Sequence, residues 1–199
     1  DTGRLLRRVD VPAANQLNDV TVARGGRVFT SDSGSGAVFE IPRLGPARLL
    51  VAEGQIRGTN GLAAAPDAKR LYVAHSTGIA LVDIETGAVK RVNVPARETV
   101  AAIDGLYEWQ GSLVGVQNIT TPGRVIYMDL SPDGATITRV RTLVSHHHAA
   151  LDEPTTGAPS ELGFYLLAAT GVAHFNRQGK LERPESIPRP VILKVPLPR

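Results

Sequence analysis

Apolar residues recur along the chain in short alternating runs, each closed by a turn dipeptide. The clearest begins Thr59-Asn60-Gly61, continues through Leu62-Ala63-Ala64-Ala65 and a Pro66-Asp67 turn, and ends in Leu71-Tyr72-Val73-Ala74-His75. Period-two runs joined by such turns predict antiparallel hairpins. The phrase appears upstream as Asn18-Asp19, a strand from Val20, a Gly25-Gly26 turn and a strand from Val28 to Asp32. Downstream it is Asp104-Gly105, a strand from Leu106, a Gln110-Gly111 turn and a strand from Leu113 to Gln117. A weaker fourth copy runs from Thr156-Gly157-Ala158 through Ser160-Glu161 to Phe164 and Ala168.

The leading residues Asn18, Asn60, Asp104 and Thr156 lie roughly 40 to 50 residues apart, the period of one four-stranded propeller blade. No segment keeps a helical period, so the fold class predicted is all-β, a β-propeller with about four four-stranded blades. The units expected are 17–52, 60–94, 103–144 and 152–197. The outer strand of the last is expected either from Val172 to Phe175 or from Pro190 to Leu197, with the proline-rich stretch from Pro184 as irregular connection. Thr2 to Val9 resembles the turn and outer strand at Ile84 to Val92, which predicts an outer strand of a preceding blade over 1–10. The chain is therefore expected to be the C-terminal part of a larger ring, with its two end segments unpaired with each other.

The chain has 199 residues, no cysteine and a formal net charge of +3. Thiolate metal sites, thiol catalysis and disulfide scaffolding are excluded. The arginines are scattered and the few aromatics sit at strand positions, so no basic stripe with stacking platforms predicts nucleic-acid binding. No apolar run has the length of a membrane span. No obligate protein partner is evident, and the compartment is left open between cytoplasm and periplasm or exterior.

If the repeat is radial, the same position in each blade points at one axis. Asn18, Asn60 and Asp104 would then bring oxygens together, a set suited to a divalent metal, calcium first, with zinc, magnesium and manganese as alternatives. Asn-Gly and Asp-Gly are also ordinary turn dipeptides, but recurrence at one register favours a shared site. Asp104, the carboxylate of the set, is the candidate general base. Asp32, His75 and Gln117 end the second strand of their blades and are candidates to line the mouth. Asp32, Gln117 and Asn18 are assigned there to substrate, and His75 to proton transfer. His146-His147-His148 has poor ligand geometry and reads as a surface loop. Glu153 is a further candidate carboxylate.

With Asn18-Asp19, Asn60-Gly61-Leu62 followed by Pro66-Asp67 and Leu71-Tyr72-Val73-Ala74, and Asp104-Gly105-Leu106, nearly the whole chain resembles the senescence-marker-protein/gluconolactonase/luciferin-regenerating family of six-bladed propellers. In that family, and in the similar paraoxonases, the asparagines of the first two motifs and the aspartate of the third ligate an axial metal. The resemblance implies that role for Asn18, Asn60 and Asp104; a glutamate ligand from an earlier blade has no counterpart here. The function it implies is metal-dependent hydrolysis of a small-molecule lactone or ester. The alternative is a non-catalytic propeller that binds a small ligand or protein at its mouth.

Overall fold

The computed structural model describes residues 2–118, 123–145, 147–176, 178–182, 187 and 189–198. The first sheet holds β1 (Leu17–Val22), β2 (Val28–Asp32), β3 (Val38–Ile41) and β4 (Arg48–Val51). The second holds β5 (Leu62–Ala64), β6 (Arg70–His75), β7 (Gly78–Asp83) and β8 (Val89–Arg91), and the third β9 (Ile103–Trp109), β10 (Ser112–Gln117), β11 (Arg124–Leu130) and β12 (Ile137–Val144). The last is β13 (Gly157–Ser160), β14 (Gly163–Ala169) and β15 (Val191–Val195). Each sheet is an antiparallel meander in chain order. The first strands β1, β5, β9 and β13 pack beside one another in sequence. This is the four-bladed propeller architecture that the repeat predicts, with three described strands in the last blade.

Hydrophobic alternation explains how the blades stack. In β6, Leu71 and Val73 enter the core shared with the first blade, while Tyr72 and Ala74 enter the core shared with the third. In β10, Leu113 joins the second-to-third core, and Val114 and Val116 join the third-to-fourth. Both faces of the middle blades are therefore buried, which is why their strands read as continuous apolar runs. In β1 only one face is covered, and Val20 and Val22 remain 60% and 62% exposed.

Polar stitches cross each seam. Arg27 of the first blade pairs with Glu40 at 2.8 Å and also reaches Glu85 of the second. Tyr72 Oη donates to the Gly134 carbonyl at 3.1 Å, joining the second blade to the third. The Gly157 N–H donates to Tyr107 Oη at 2.9 Å, joining the third to the fourth.

At the ends of the chain one expectation changes, and the choice left open for the last outer strand is resolved. Residues 2–16 form no strand, so the outer strand expected over Thr2 to Val9 is not formed. A strand needs a partner edge, and no ladder serves those residues among the described ones. Instead the segment is held where the Arg7 guanidinium donates to the carbonyls of Pro42, at 2.7 Å, and Arg43. At the other end β15 pairs with β14, and nothing among the described residues joins it to 2–9. Val172–His174 forms a 3-10 turn entered through Gly171 at φ 67°, so the outer strand of this blade is Val191–Val195. The proline-rich stretch lies partly outside the described residues, at 184–186 and 188, as does most of the 118–123 loop.

Candidate functional site

The Asn-Gly and Asp-Gly pairs are not turns. Asn60 donates its N–H to the Ala74 carbonyl and Gly61 accepts from the Ala74 N–H, both at 2.9 Å, so these residues extend the β5–β6 ladder. A Cβ on Gly61 would stand 2.4 Å from the Asp104 carbonyl oxygen and 2.5 Å from the Leu106 nitrogen. A Cβ on Gly105 would stand 2.7 Å from Tyr107 Oη, and the Gly105 N–H donates to the Thr155 carbonyl at 3.1 Å. Glycine is needed at Gly61 because two inner strands touch backbone to backbone. That close approach sets Asn60 beside Asp104.

Asp104 Oδ2 accepts from the Asn118 carboxamide at 2.6 Å. Burial pushes the Asp104 carboxyl above the usual carboxylate range, and the carboxamides of Asn118 and Asn60 work against that by favouring its charged form. Oδ1 of Asn60 and Oδ1 of Asn118 are both buried, and neither has a hydrogen-bond partner. An orphaned buried acceptor costs about 1–3 kcal/mol, so two of them around one carboxylate form an unbalanced site in the protein alone. Together they offer one charged and two neutral oxygens. No cluster of three or more His, Cys, Asp or Glu side chains occurs among the described residues, so any metal site here depends on the carboxamides. Such an all-oxygen set fits a hard cation.

A second carboxylate stands close by. Asp19 accepts from the Leu62 N–H at 2.7 Å and from the Val20 N–H at 2.8 Å. Burial raises its pKa, those two N–H groups oppose the rise, and the Asp104 charge adds to it. Asp19 also lines a channel of about 240 Å³ between the inner strands, with Leu62, Leu106 and Tyr107 among its walls. Tyr107 Oη hydrogen-bonds Thr156 Oγ1 there, so the leading threonine of the fourth blade fastens a seam.

The remaining candidates separate into different environments. Asn18 is exposed; its carboxamide donates to Ser33 Oγ at 2.9 Å, and Ser33 Oγ donates to the Thr59 carbonyl at 2.5 Å. It is therefore linked through Ser33 to Thr59, the residue before Asn60, and makes no hydrogen bond to Asp104 among the described residues. Asp32 is fully buried and accepts from the backbone N–H groups of Asn15, Gln16 and Gly34 and from Ser35 Oγ. Burial alone would raise its pKa, but those four donors bring it down to about 2. Gln117 is also fully buried, donating to the Ala101 carbonyl at 2.6 Å and accepting from Arg124 Nε at 2.7 Å. Both residues tie loops to strand ends, and neither has surface to offer at a mouth.

His75 faces a groove at the outer side of the first seam, with Arg57 and Arg91, rather than the cluster at Asp104. Burial and then the Arg91 charge hold its pKa below the usual imidazole value. Of the histidine triplet, His146 lies outside the described residues; His147 and His148 are exposed in a turn where the His148 N–H donates to Ser145 O at 2.9 Å. Glu153 is exposed, at φ 52°, and its carbonyl accepts from Thr170 Oγ1 at 3.0 Å.

No family model matches the chain, and no curated protein matches it. Similarity is found among solved structures. A gluconolactonase from Xanthomonas campestris superposes with TM-score 0.59 and 18% identity, over 82% of this chain and 58% of that one. A luciferin-regenerating enzyme gives 0.62 and 16%, over 90% of this chain and 61% of that one. A nidogen/laminin complex gives 0.60 and 12%, over 77% and 57%. At these identities the likeness is one of fold, and the chain spans less than two thirds of each of these proteins.

Proposed function

We propose that this chain carries the axial site of a divalent-cation-dependent hydrolase acting on lactones or related esters, in the manner of a gluconolactonase. The observation that carries this reading is the pair of buried, unpartnered oxygens, Asn60 Oδ1 and Asn118 Oδ1, set around the desolvated Asp104 carboxylate. Asn60, Asp104 and Asn118 would hold the cation, and calcium suits three oxygens of which two are neutral amides better than zinc, magnesium or manganese does. When bound, the cation would act as a Lewis acid toward the substrate carbonyl. Fold likeness to a gluconolactonase and a luciferin-regenerating enzyme supports the reading, as does the motif resemblance.

The chain's own groups divide the remaining work. Asp104 is half-desolvated and oriented by Asn118, so its carboxylate is placed to take a proton from an attacking water. Asp19, fixed by the Leu62 N–H, keeps a second negative charge within electrostatic reach of Asp104. Asn18, exposed and tethered only through Ser33, is placed to hydrogen-bond a hydroxyl-rich substrate rather than the cation. Tyr107 and Leu106 give the channel a partly apolar wall against which a small ring can lie.

Calorimetric titration with calcium, paired with hydrolysis of δ-gluconolactone, tests this. Saturable binding that is lost in Asp104→Asn, together with turnover lost in the same variant, is the expected result. Calcium affinity unchanged in Asp104→Asn removes the site. Calcium binding without turnover of any lactone or ester favours a ligand-binding propeller instead.

A further inference from the structure

Several arginines have carboxylate partners: Arg27 has Glu40 and Glu85, Arg70 has Asp67, and Arg141 has Asp129. A groove at the rim of the first seam gathers cations without such partners. It is walled by Gln55 and Arg57 from the loop after β4, and by His75, Lys90 and Arg91 from the second blade, over a floor of Ile56, Ala80 and Val89. Its volume is about 290 Å³. Ile56 and Ala80 are each 3% exposed, so the floor is core rather than loose surface. No acidic residue lines it. Asp83 lies in electrostatic reach of Lys90, and its Oδ1 already accepts from the N–H groups of Glu85 and Thr86 and from Thr86 Oγ1. Among the described residues, neither Arg57 nor Arg91 has an ion-pair partner.

We propose that this groove is a binding site for a phosphate monoester, held through its dianionic head by Arg57 and Arg91 with its apolar body on Ile56, Ala80 and Val89; Arg91 shares the face of Ala80, its partner across the β7–β8 ladder. Like charges gathered in a concave site repel one another until an anion arrives, and they raise the local concentration of anions. Two guanidinium forks match the oxygens of a phosphate better than they match a single point charge. The volume takes a phosphate plus a small ring, not a nucleotide. His75 contributes a further wall: burial and Arg91 favour its neutral form, whose Nδ1 accepts from the Thr77 N–H at 3.3 Å, which leaves the Nε2 N–H to donate to a ligand oxygen. The site is separate from the Asn60, Asp104 and Asn118 cluster, so it stands whether or not the chain hydrolyses lactones.

The test uses phenyl phosphate, inorganic phosphate and benzoate as probes, by calorimetry and by the His75 ring resonances at fixed pH. Phenyl phosphate is expected to bind saturably, more tightly than inorganic phosphate or benzoate, and to shift the His75 signals. Arg57→Gln and Arg91→Gln should each weaken it about tenfold, the usual scale for losing a charge-assisted hydrogen bond, while Arg139→Gln on β12 should leave it unchanged. Thermal melts of the variants establish that each still folds. Equal weakening by Arg139→Gln, unchanged affinity in both groove variants, absence of saturation, or benzoate binding tighter than phenyl phosphate overturns the proposal.

Discussion

The carboxamide of Asn118 donates to Oδ2 of Asp104 across adjoining strands at 2.6 Å, leaving its own oxygen buried without a partner. A side chain that spends its donor on a carboxylate presents its acceptor to the same space. Removing it therefore affects cation binding twice, by loosening Asp104 and by deleting a ligand. Asn118→Ala is expected to weaken calcium binding by about tenfold or more, and Asn18→Ala by much less. Calorimetric titration of the two variants side by side checks this, and equal losses would count against Asn118.

Charge sets a second ordering. Asp104→Ala should weaken calcium binding more than Asn60→Ala, because only the carboxylate brings a formal charge to the ion. The same titration reads the difference.

Gly61 permits the contact between the second and third blades that brings Asn60 to Asp104. Gly61→Ala would force its methyl group into the Asp104 carbonyl and the Leu106 nitrogen, both backbone atoms that cannot rotate away. Urea denaturation should show a loss of about 2–3 kcal/mol. Gly111→Ala, where a Cβ meets open space but φ is +83°, should cost only about 1 kcal/mol.

Asp32 makes stability depend on acid. Its folded pKa, about 2, lies below the ordinary carboxylate value of 3.8, so the contribution is fully present above that unfolded value and is lost as pH falls from there through about 2. Thermal melts from neutral pH downward should show a decline across that window that Asp32→Asn lacks. The variant itself should be less stable at neutral pH by about 3 kcal/mol, since a buried network loses its charged acceptor.

For His75 the shift is also downward, from 6.5, so the folded protein resists protonating it and loses stability as pH falls below that unfolded value. A ring titration followed by NMR should give a midpoint below the usual imidazole value in the native protein, and a higher one in Arg91→Gln.

The fold was legible because each hairpin carries its own turn chemistry and each middle blade needs two apolar faces. Asn60 and Asp104 were legible because they lead the inner strands of consecutive blades at one register of the repeat. Asn118 is not legible because it follows β10 at a register where the two earlier blades carry Ser33 and Ser76, so the residue type does not repeat; its signal is a lone Gln117-Asn118 at the end of an otherwise apolar strand. Asp32, His75 and Gln117 occupy one sequence register yet meet three different surroundings. Alternation tells which face of a sheet a residue takes, but the loop that covers a strand end decides whether that face is mouth, cap or groove. Thr2 to Val9 copied the pattern of an outer strand without the neighbouring edge that would make it one.

The seam fasteners among the described residues join blades that are consecutive in the chain: Arg27 to Glu85, Tyr72 to Gly134, Tyr107 to Gly157. Every large core is likewise shared by two successive blades. A chain emerging from the ribosome can thus finish one seam as soon as the following blade is out, without waiting for its last residues. The Asn60 and Asp104 pair is complete once the third blade has closed on the second, so the heart of the candidate site is assembled while the fourth blade is still being made.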